Sequence, residues 1–545
     1  MTRPLLPLVC GLALLGGWMS CAGARGPAYV PDTTTLEPGQ QMENPPGWEA
    51  DAVVYHVWMR AFADGIFQDG VGDLPGLRSK LPYLQDLGVN TLWLSPIFAC
   101  DYQGENMHGY DTTDYFSLNP RFGTKADLKA LLDEAHGRGM RVIFDFVPNH
   151  TSSKHPWFTD AATRGIRYVW KDAVPTGWGL PWGGGTSTDV WRPAYGSYFY
   201  TSFATDSLAD LNWEAPEVRS ALQGVATYWL DRGFDGMRVD AARYLHETGP
   251  GQQADQPATH ARWREFRTLL EGYTPTRSAK IMMAEAWTDT AAGVIPYQGN
   301  GRDEFHLTLD FSAPWAISNA ITRGDATQVT NLWEFERDHF PAGSRSAVFD
   351  SNHDNLISRP ATQYGGDARK VILHEALTLL APGMPILYYG NEVGLQGKAG
   401  TDLDLRRPMD WAAASAQAGQ PDSILAWVRC LIRARRTYPA LRGTYATVAT
   451  DLGPTQVLAY ARGAGDQRVL VVANLTDRVL TARLTGLGAL GVPADGPVQA
   501  ILGDLQGVTA LTGDTYQAVA LPPYGVRVLF AAGSGFGGTL HGDRP

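Results

Sequence analysis

Between residues 52 and 436 the chain alternates short apolar runs with longer amphipathic stretches. Apolar runs of this length are typical of buried strands, and the stretches between them carry helical spacing. The predicted strands are 52–58, 89–94, 141–147, 234–239, 280–285, 306–311, 347–350 and 385–389. The predicted helices are 77–87, 124–137, 218–230, 262–270 and 423–436. Regular alternation of strands and helices predicts a parallel sheet.

Eight such units predict a closed (β/α)8 TIM barrel, with a doubly wound open sheet as the structural alternative. No glycine-rich phosphate loop follows the first strand, which argues against a nucleotide site. The pattern is interrupted at 148–210, an aromatic-rich stretch without a long helical period, which we predict to be an irregular insertion. After residue 443, short strands without helices predict a small antiparallel β-sandwich.

A chain of 545 residues is too long for one core, so several domains are expected. The predicted boundaries are a signal segment at 1–24, a linker at 25–47, a barrel at 48–147 and 211–443, an inserted domain at 148–210, a sandwich at 444–532 and a disordered glycine-rich tail at 533–545.

The amino terminus carries an export pattern. Arg3 precedes an apolar run from Leu5 to Leu15 that is too short to span a bilayer as a stable helix. Residues 22–24 fit ordinary signal cleavage, whereas residues 18–21 form an imperfect lipoprotein signal with Cys21 as the lipidated residue. We expect export from a bacterial cell, as a periplasmic or cell-surface lipoprotein or as a secreted protein.

Charge and cysteine content narrow the candidate partners. The net charge of −11 argues against nucleic acid, because phosphate binding needs a basic face, and it suits a neutral substrate. Cys100 and Cys430 lie in distant predicted elements, so we expect thiols rather than a disulfide, and no cysteine spacing indicates zinc. We expect a monomer without an organic cofactor.

The carboxyl ends of parallel barrel strands meet at one face, where active sites are built. Polar residues at those predicted ends are His108, Tyr110 and Asp111 after the second strand, Asp145, Asn149 and His150 at the third, Arg238 and Asp240 at the fourth, Glu285 at the fifth, and His353 and Asp354 after the seventh. Three carboxylates are therefore expected to converge. Such a set suits cleavage of an acetal, with one carboxylate as nucleophile and a protonated one as acid.

Arg238 and Asp240 point the same way along a strand, since side chains alternate. The guanidinium is expected to lower the pKa of Asp240 and keep it ionised, as a nucleophile requires. Taken alone, the segment fits a structural ion pair equally well.

Four segments, 145–150, 236–244, 284–287 and 349–354, resemble the short conserved regions of the α-amylase family of glycoside hydrolases (family 13). Residues 208–212 resemble a fifth region. The resemblance spans residues 48 to about 530 in the family's order of barrel, inserted loop domain and sandwich. The fifth region is similar to an intermediate between oligo-1,6-glucosidase-like and neopullulanase-like members.

The resemblance implies a role for each matching residue. Asp240 matches the nucleophile, Glu285 the general acid/base, and Asp354 the residue that binds sugar hydroxyls and distorts the ring. Arg238 orients the nucleophile, and Asp145 is a buried support for this network. The other implied substrate contacts are His108, Tyr110, Asp111, His150, His353 and Arg406.

The resemblance also suggests calcium binding at two places in the chain. Asn149 matches a calcium ligand of many α-amylases. The acidic loop with Asp64, Asp69 and Asp73 resembles a calcium loop of oligosaccharide-cleaving relatives, although it is one residue longer, so a solvated turn is the competing interpretation.

The resemblance implies an α-amylase, a retaining hydrolase that cleaves α-1,4-glucosidic bonds within starch-type polysaccharides or maltooligosaccharides. An exo-acting α-glucosidase or oligo-glucosidase stays open, because Asp111 and Arg406 resemble a pair that holds the terminal sugar in α-glucosidases. A transferase such as a trehalose-forming isomerase stays open too. A non-catalytic sugar-binding paralogue is disfavoured, since all three carboxylates are present.

Overall fold

The computed structural model describes residues 39–104, 107–274, 278–354, 356–492, 498–503 and 513–532. Eight parallel strands close into a barrel in the order β1-β8-β7-β6-β5-β4-β3-β2. They are β1 (Val54–Val57), β2 (Thr91–Leu94), β3 (Arg141–Phe146), β4 (Gly236–Val239), β5 (Ile281–Ala284), β6 (Leu307–Asp310), β7 (Arg345–Phe349) and β8 (Met384–Tyr388). Each lies within or overlaps a predicted strand, and the closed barrel rules out the open sheet.

Apolar side chains fill the barrel and the layer between strands and helices. Ile143, Met283, Leu309 and Ile386 belong to the interior cluster and are almost fully buried. The larger helices are Lys125–Gly137, Pro216–Asp231, Pro257–Glu271, Ala291–Gln298, Ala313–Arg323, Thr327–His339, Ala368–Leu379 and Ile424–Thr437. Thr124 and Asp127 form the predicted capping box of the first of these.

The helix predicted at 77–87 is instead two helices, Leu74–Ser79 and Leu81–Leu87. Asp73 caps the first, accepting the Gly76 N–H at 2.7 Å. Proline stands in the first turn of the second, where its missing N–H costs nothing, so a new helix begins there.

The insertion is more regular than predicted. A three-stranded antiparallel sheet joins Trp170–Lys171, Ser197–Tyr200 and Trp191–Ala194, and His150–Ser152 pairs with Leu208–Asp210. The second pairing ties the end of the insertion to the residues that follow β3. These strands are only two to four residues long, so alternation could not reveal them.

The sandwich holds a five-stranded and a three-stranded sheet. The first orders Thr444–Thr447, Val457–Ala464, Gln467–Asn474, Val526–Ala532 and Val498–Leu502, and the second Ala449–Thr450, Leu480–Thr485 and Tyr516–Leu521. Buried Arg462 docks it on the barrel, donating to the carbonyls of Leu380 (3.0 Å) and Ala381 (2.7 Å).

Residues 39–47, predicted as linker, lie against the amino ends of the barrel strands. Asn44 is buried, donating to Asp235 at 2.6 Å and accepting from Arg141 at 2.7 Å. The Gln41 side-chain amide donates to the Asp231 carbonyl at 2.9 Å. Hydrogen bonding of polar side chains, rather than apolar periodicity, fixes this segment. The signal segment, Cys21 and the tail at 533–545 lie outside the described residues.

Within the described part of the chain, every helix is too short or too polar to traverse a bilayer. Cys100 and Cys430 are not joined by a disulfide, as expected.

Asp350 follows β7 and Glu375 lies on the Ala368–Leu379 helix, and both are fully buried. Asp350 accepts backbone N–H groups from Ser351 (2.5 Å) and Tyr388 (3.3 Å). Burial raises the pKa of Asp350 to about 6. Burial, together with the Asp350 charge, raises the pKa of Glu375 well above its usual range. These raised pKa values favour a native state in which the pair keeps a proton.

This pair predicts a stability that declines with rising pH. Above about pH 4 an unfolded glutamate releases its proton, whereas the native pair retains it, so the unfolding free energy falls as pH rises. In Glu375→Gln, which cannot ionise, the thermal midpoint should fall less between about pH 5 and pH 8 than in the wild type. Parallel curves for the two proteins would contradict this origin.

Candidate active site

A single buried guanidinium organises the polar cluster at the carboxyl end of the barrel. Arg238, on β4, is 1% exposed. Its Nη1 lies 2.7 Å from Asp145 Oδ1 and 2.8 Å from Asp240 Oδ1. Its Nη2 lies 3.0 Å from Glu285 Oε1. Three carboxylates from three neighbouring strands thus share one cation.

Strand register brings these residues together. Arg238 on β4 pairs with Asp145 on β3 and with Met283 on β5, so Glu285 projects two residues beyond the same level. Asp240 immediately follows β4 and points the same way as Arg238, as alternation along a strand requires.

The role of Asp145 is fully accounted for by neighbouring side chains. Besides Arg238, its Oδ2 accepts hydrogen bonds from the Trp93 indole (3.2 Å) and the Tyr110 hydroxyl (3.0 Å). Asp145 is 1% exposed. It therefore supports Arg238 and Tyr110 from below, and nothing of it remains for a ligand.

Burial changes the electrostatics expected for the two principal carboxylates. Arg238 lowers the pKa of Asp240, as predicted, but burial acts in the opposite direction and is stronger, and the pKa rises to about 7. Burial likewise raises the pKa of Glu285 to about 8. The expectation that Arg238 alone keeps Asp240 ionised is thus incomplete. Glu285 has the higher pKa of the two, so it is the group that keeps a proton.

Glu285 is also held by the loop that carries Asp240. The Ala241 N–H donates to Glu285 Oε2 at 2.8 Å, and the Ala242 N–H to the Glu285 carbonyl at 3.2 Å. Ala241 adopts a left-handed backbone with φ of 51°, which is strained for an alanine. This backbone conformation directs the Ala241 N–H toward the Glu285 carboxyl group.

Asp354 and His353 follow β7. His353 Nε2 lies 2.7 Å from the Tyr110 hydroxyl and 3.3 Å from Asp354 Oδ1, and its ring stacks on Trp58 at 4.7 Å. Burial, reinforced by nearby Arg406 and Arg238, lowers the pKa of His353 well below its usual value, so the ring is neutral. Burial raises the pKa of Asp354.

Arg406 and Asp111, which resemble the pair that holds the terminal sugar in α-glucosidases, each contact neighbours near Asp354 and His108. Arg406 Nη2 lies 3.9 Å from Asp354 and 3.3 Å from Asp402, and its Nε donates to the His353 carbonyl at 3.0 Å. Asp111 accepts the Tyr102 N–H at 2.7 Å and lies 3.9 Å from His108. Arg406 thus positions the Asp354 loop, and Asp111 shapes its own loop.

Both remaining histidines flank this centre. His108 Nδ1 accepts the Tyr110 N–H at 3.0 Å, which orients the two rings nearly parallel. His150 is 1% exposed, and its Nε2 has no hydrogen-bond partner among the described residues. Burial lowers the pKa of both, to about 4 for His108 and about 3 for His150. Both rings are therefore neutral at physiological pH.

At the predicted calcium positions, the carboxylates already have partners. Asp64 accepts N–H groups from Gln68 and Gly70, and Asp69 accepts from Val71 and Arg121. Asp73 caps a helix and also accepts from Gly65 and Ile66. These hydrogen bonds brace the loop as a turn, and calcium binding there stays a prediction from the resemblance.

Asn149 lies beside Asp210, to which its amide donates at 3.1 Å, and its Oδ1 is buried without a hydrogen-bond partner among the described residues. Asp210 also accepts from the Ser202 amide (3.1 Å) and hydroxyl (2.5 Å). One orphan oxygen beside one satisfied carboxylate is a thin donor set for a hard cation. Among the described residues, no group of three His, Cys, Asp or Glu is arranged for a metal. The ion stays a prediction from resemblance.

Sequence reasoning missed the floor of the site. His56, on β1, stacks on Trp93 at 3.6 Å with an interplanar angle of 6°, and Trp58 follows two residues later. Both come from the carboxyl end of β1, and their spacing of two places them on one face. The available signal was a pair of inward-facing aromatic residues at a strand end, but such residues are equally typical of a hydrophobic core.

Carboxylates that share a buried arginine, with one held protonated beside one that can ionise, define a site for cleavage or transfer at an acetal carbon. Comparison with known protein families identifies this class of site more closely. The α-amylase catalytic domain matches residues 56–436, and the chain belongs to the α-amylase family of glycoside hydrolases and transglycosylases. Residues 454–529 match the C-terminal immunoglobulin-like domain of D-apionate lactonase, which agrees with the observed sandwich.

Individual relatives differ in their named activities. The chain is 32% identical over 513 residues to a trehalose synthase of Thermus thermophilus, covering 79% of this chain and 51% of the relative. It is 30% identical over 462 residues to α-amylase 3 of Dictyoglomus thermophilum, covering 78% and 85%. The crystal structure of an α-amylase from H. orenii aligns with a TM-score of 0.73 at 28% identity, covering 88% and 99%. The chain thus spans about half the length of the Thermus relative.

Tyr110 offers a test of this network. In Tyr110→Phe, buried Asp145 and His353 each lose a hydrogen-bond partner, so the unfolding free energy should fall by about 1–3 kcal/mol. Urea denaturation at neutral pH measures the change. Tyr195→Phe, at an exposed turn, is the matched control and should be neutral. Equal stabilities of the two variants would contradict the network.

Proposed function

We propose that the protein hydrolyses α-1,4-glucosidic bonds of starch-type polysaccharides or maltooligosaccharides with retention of configuration. The observation that supports this most is the sharing of one guanidinium by Asp240 and Glu285, whose oxygens lie 2.8 and 3.0 Å from its two terminal nitrogens. Both carboxyl groups therefore reach the same guanidinium, and the distance between them sets the stereochemical outcome. Retaining enzymes need a separation of about 5–5.5 Å, whereas inverting enzymes need about 6.5–9.5 Å to admit a water.

In the proposed mechanism, ionised Asp240 attacks the anomeric carbon while Glu285 protonates the leaving oxygen. A covalent glucosyl–Asp240 ester forms and the leaving sugar departs. Glu285, now a carboxylate, removes a proton from water, which attacks the same carbon and releases Asp240. Arg238 contacts both carboxylates throughout, so it stabilises whichever of them is ionised.

The neighbouring polar groups suit the binding of a sugar. Asp354 and His353, with His150 nearby, offer a carboxylate and neutral imidazoles for sugar hydroxyls. Tyr110 has its hydroxyl fixed by Asp145 and His353, which leaves the ring positioned as a stacking surface. Under this proposal the substrate is a neutral α-glucan or oligomer, as the acidic net charge allows.

The second candidate is transfer of the glucosyl group to a sugar, including trehalose formation. It is favoured by the similarity to the Thermus thermophilus trehalose synthase and to a second one from Pimelobacter, which is 30% identical over 527 residues. An exo-acting α-glucosidase is supported by an Apis mellifera relative that is 31% identical over 385 residues. The same three carboxylates serve all of these reactions.

Product analysis on starch, on an end-blocked maltooligosaccharide and on maltose distinguishes the candidates. Endo-hydrolysis cleaves the blocked substrate, and proton NMR of the first product shows the α-anomer. Exo-hydrolysis leaves the blocked substrate intact and releases glucose from maltose. Trehalose as the main product of maltose would overturn hydrolysis in favour of isomerisation.

Asp240→Asn should lower turnover at least about a thousandfold, since the nucleophile is lost at nearly constant volume. Steady-state rates on maltotetraose measure the loss, and circular dichroism checks the fold. Asp338→Asn, which changes an exposed carboxylate, should keep full activity. Near-normal turnover in Asp240→Asn would refute its role.

The pH dependence should report the proton on Glu285. Raising the pH through about 8 removes this proton, so kcat/KM for maltotetraose should fall on the basic side. α-Glucosyl fluoride needs no protonation of its leaving group, so its kcat/KM should not show that fall. The same basic decline with both substrates would assign it to another group.

Two further properties rest on sequence alone. We propose export with lipidation at Cys21, supported by residues 18–21, with ordinary cleavage near residues 22–24 as the alternative. Mass spectrometry of the mature amino terminus separates the two. We also propose that the enzyme works as a monomer. Metal analysis of the purified protein tests the calcium that the resemblance implies at Asn149 and at the loop with Asp64, Asp69 and Asp73.

A further inference from the structure

Arg359 is a buried arginine that has no role in the proposed mechanism so far. It follows Asp354 by five residues and is 0% exposed. Its Nη1 donates to the Tyr389 carbonyl at 2.6 Å and to Asn391 Oδ1 at 2.8 Å, and its Nη2 donates to the Leu405 carbonyl at 2.8 Å. One planar side chain from the loop after β7 thus holds two separate parts of the loop after β8.

The surroundings of this guanidinium show what the position uses. Among the described residues, the acceptors that it contacts are carbonyl and amide oxygens rather than carboxylates. It also lies over the rings of Tyr388 at 4.2 Å and Tyr389 at 4.8 Å. A buried charge without an opposite charge is costly, so an apolar side chain would serve packing better. The directed hydrogen bonds are therefore the feature that distinguishes arginine at this position.

Hydrogen bonds fix the backbone on both sides of Arg406. The carbonyl of the residue before it, Leu405, accepts from Arg359 and also from the Tyr388 hydroxyl at 3.1 Å. The carbonyl of the residue after it accepts from the Tyr389 hydroxyl at 2.5 Å. Both neighbours of Arg406 along the chain are therefore held, which fixes the point from which its side chain extends.

The two loops also pack against each other at Gly397. The Arg359 N–H donates to the Gly397 carbonyl at 2.9 Å, and the Thr362 hydroxyl accepts the Gly397 N–H at 2.8 Å. A Cβ atom at position 397 would lie 3.0 Å from Arg359 Cδ and 2.5 Å from the Asp404 carbonyl oxygen. Such a close approach of the backbone requires glycine. The contact between the loops after β7 and β8 is thus tight around Arg359.

The side chain of Arg406 reaches back to the loop that carries Asp354. Its Nε donates to the His353 carbonyl at 3.0 Å, and its guanidinium lies over Trp58 at 4.6 Å. Its Nη2 lies 3.9 Å from Asp354 Oδ1, near the limit of an ion pair. Burial raises the pKa of Asp354, and Arg406 opposes that rise. Because Coulomb energy depends on separation, a shift of Arg406 changes how readily Asp354 ionises.

Other titratable and charged groups also surround Asp354. They are Arg238, Asp240, Glu285, His108, His353, Tyr110, Tyr388 and Asp402. The hydrogen bonds of Arg359 go to backbone and amide oxygens outside this set. The effect of these hydrogen bonds on Asp354 therefore passes through the placement of Arg406.

We propose that Arg359 is a positioning residue that joins the loops after β7 and β8 and so holds Arg406 beside Asp354. This inference rests on the proposed function, in which Asp354 offers a carboxylate to sugar hydroxyls. Arg359 is fully buried, so it does not reach the substrate itself. Its hydrogen bonds set the separation between a cation and a carboxylate that lie on different loops.

The acidic side of the pH profile tests this placement. In Arg359→Lys, one ammonium cannot reproduce the planar pair of nitrogens, so Arg406 should move away from Asp354 and the pKa of Asp354 should rise. The acidic limb of kcat/KM should then move up by about one pH unit, which lowers kcat/KM on that limb roughly tenfold. Maltotetraose and α-glucosyl fluoride should shift alike, because both contain the sugar that is transferred.

Arg435→Lys is the matched control. Arg435 is also buried, and it donates to the carbonyls of Leu379 and Ala381, both at 2.9 Å, just before the amino end of β8. The same substitution there should lower the thermal midpoint and leave the acidic limb in place. An equal shift of the limb in both lysine variants would assign it to general loosening of the fold and overturn the inference.

Two further variants separate hydrogen-bond geometry from charge. Arg359→Met should shift the acidic limb as far as Arg359→Lys. A shifted Met variant beside a Lys variant that behaves like the wild type would assign the effect to the charge alone and overturn the inference. Tyr389→Phe, which removes only the bond to the carbonyl after Arg406, should shift the limb in the same direction by less.

Tyr389→Phe also decides the matter if the Arg359 variants do not fold. An acidic limb that stays in place in Tyr389→Phe, or in Arg359 variants that do fold, would overturn the positioning role while leaving the proposed function intact. A wild-type enzyme that turns over neither substrate would instead overturn the proposed function, and the inference with it.

Discussion

The charge on Arg238 constrains the whole catalytic face. One guanidinium, almost without solvent, lies within 3.0 Å of three carboxylates, so the cluster carries more acid than base. A buried excess of negative charge is expensive, and the cheapest relief is to keep a proton on one of the acids. The acid that retains it is Glu285, which is the group that donates a proton in the proposed mechanism. The charge balance of this buried cluster thus keeps Glu285 protonated before a substrate binds.

This balance explains why so much of the surrounding structure is polar and rigid. Asp145 is needed to hold Arg238, and Trp93 and Tyr110 are needed to satisfy the remaining lone pairs of Asp145. Tyr110 in turn fixes His353, whose loop carries Asp354. Removing one partner from such a network leaves a buried charge or donor without a partner in a low-dielectric interior, which is costly. The members of the network therefore depend on each other.

Much of this was predictable from the sequence. Strand positions and the convergence of Asp240, Glu285 and Asp354 follow from alternation and from the rule that barrel strand ends share a face. What failed has physical reasons. The pKa of Asp240 depends on burial as well as on its neighbour, and burial has no local signature. The ion pair of Arg243 with Asp255 joins residues twelve positions apart through an irregular loop, and no periodicity encodes that.

The segment at 39–47 has a practical consequence. It is hydrogen-bonded to the amino ends of β3, β4 and β5, so the chain enters at the end of the barrel opposite to Asp240 and Glu285. Whatever precedes this segment, whether a membrane tether, an affinity tag or a solid support used for immobilisation, attaches to the closed end. The carboxyl end of the barrel then faces away from the point of attachment, which leaves Asp240 and Glu285 accessible from the surrounding medium.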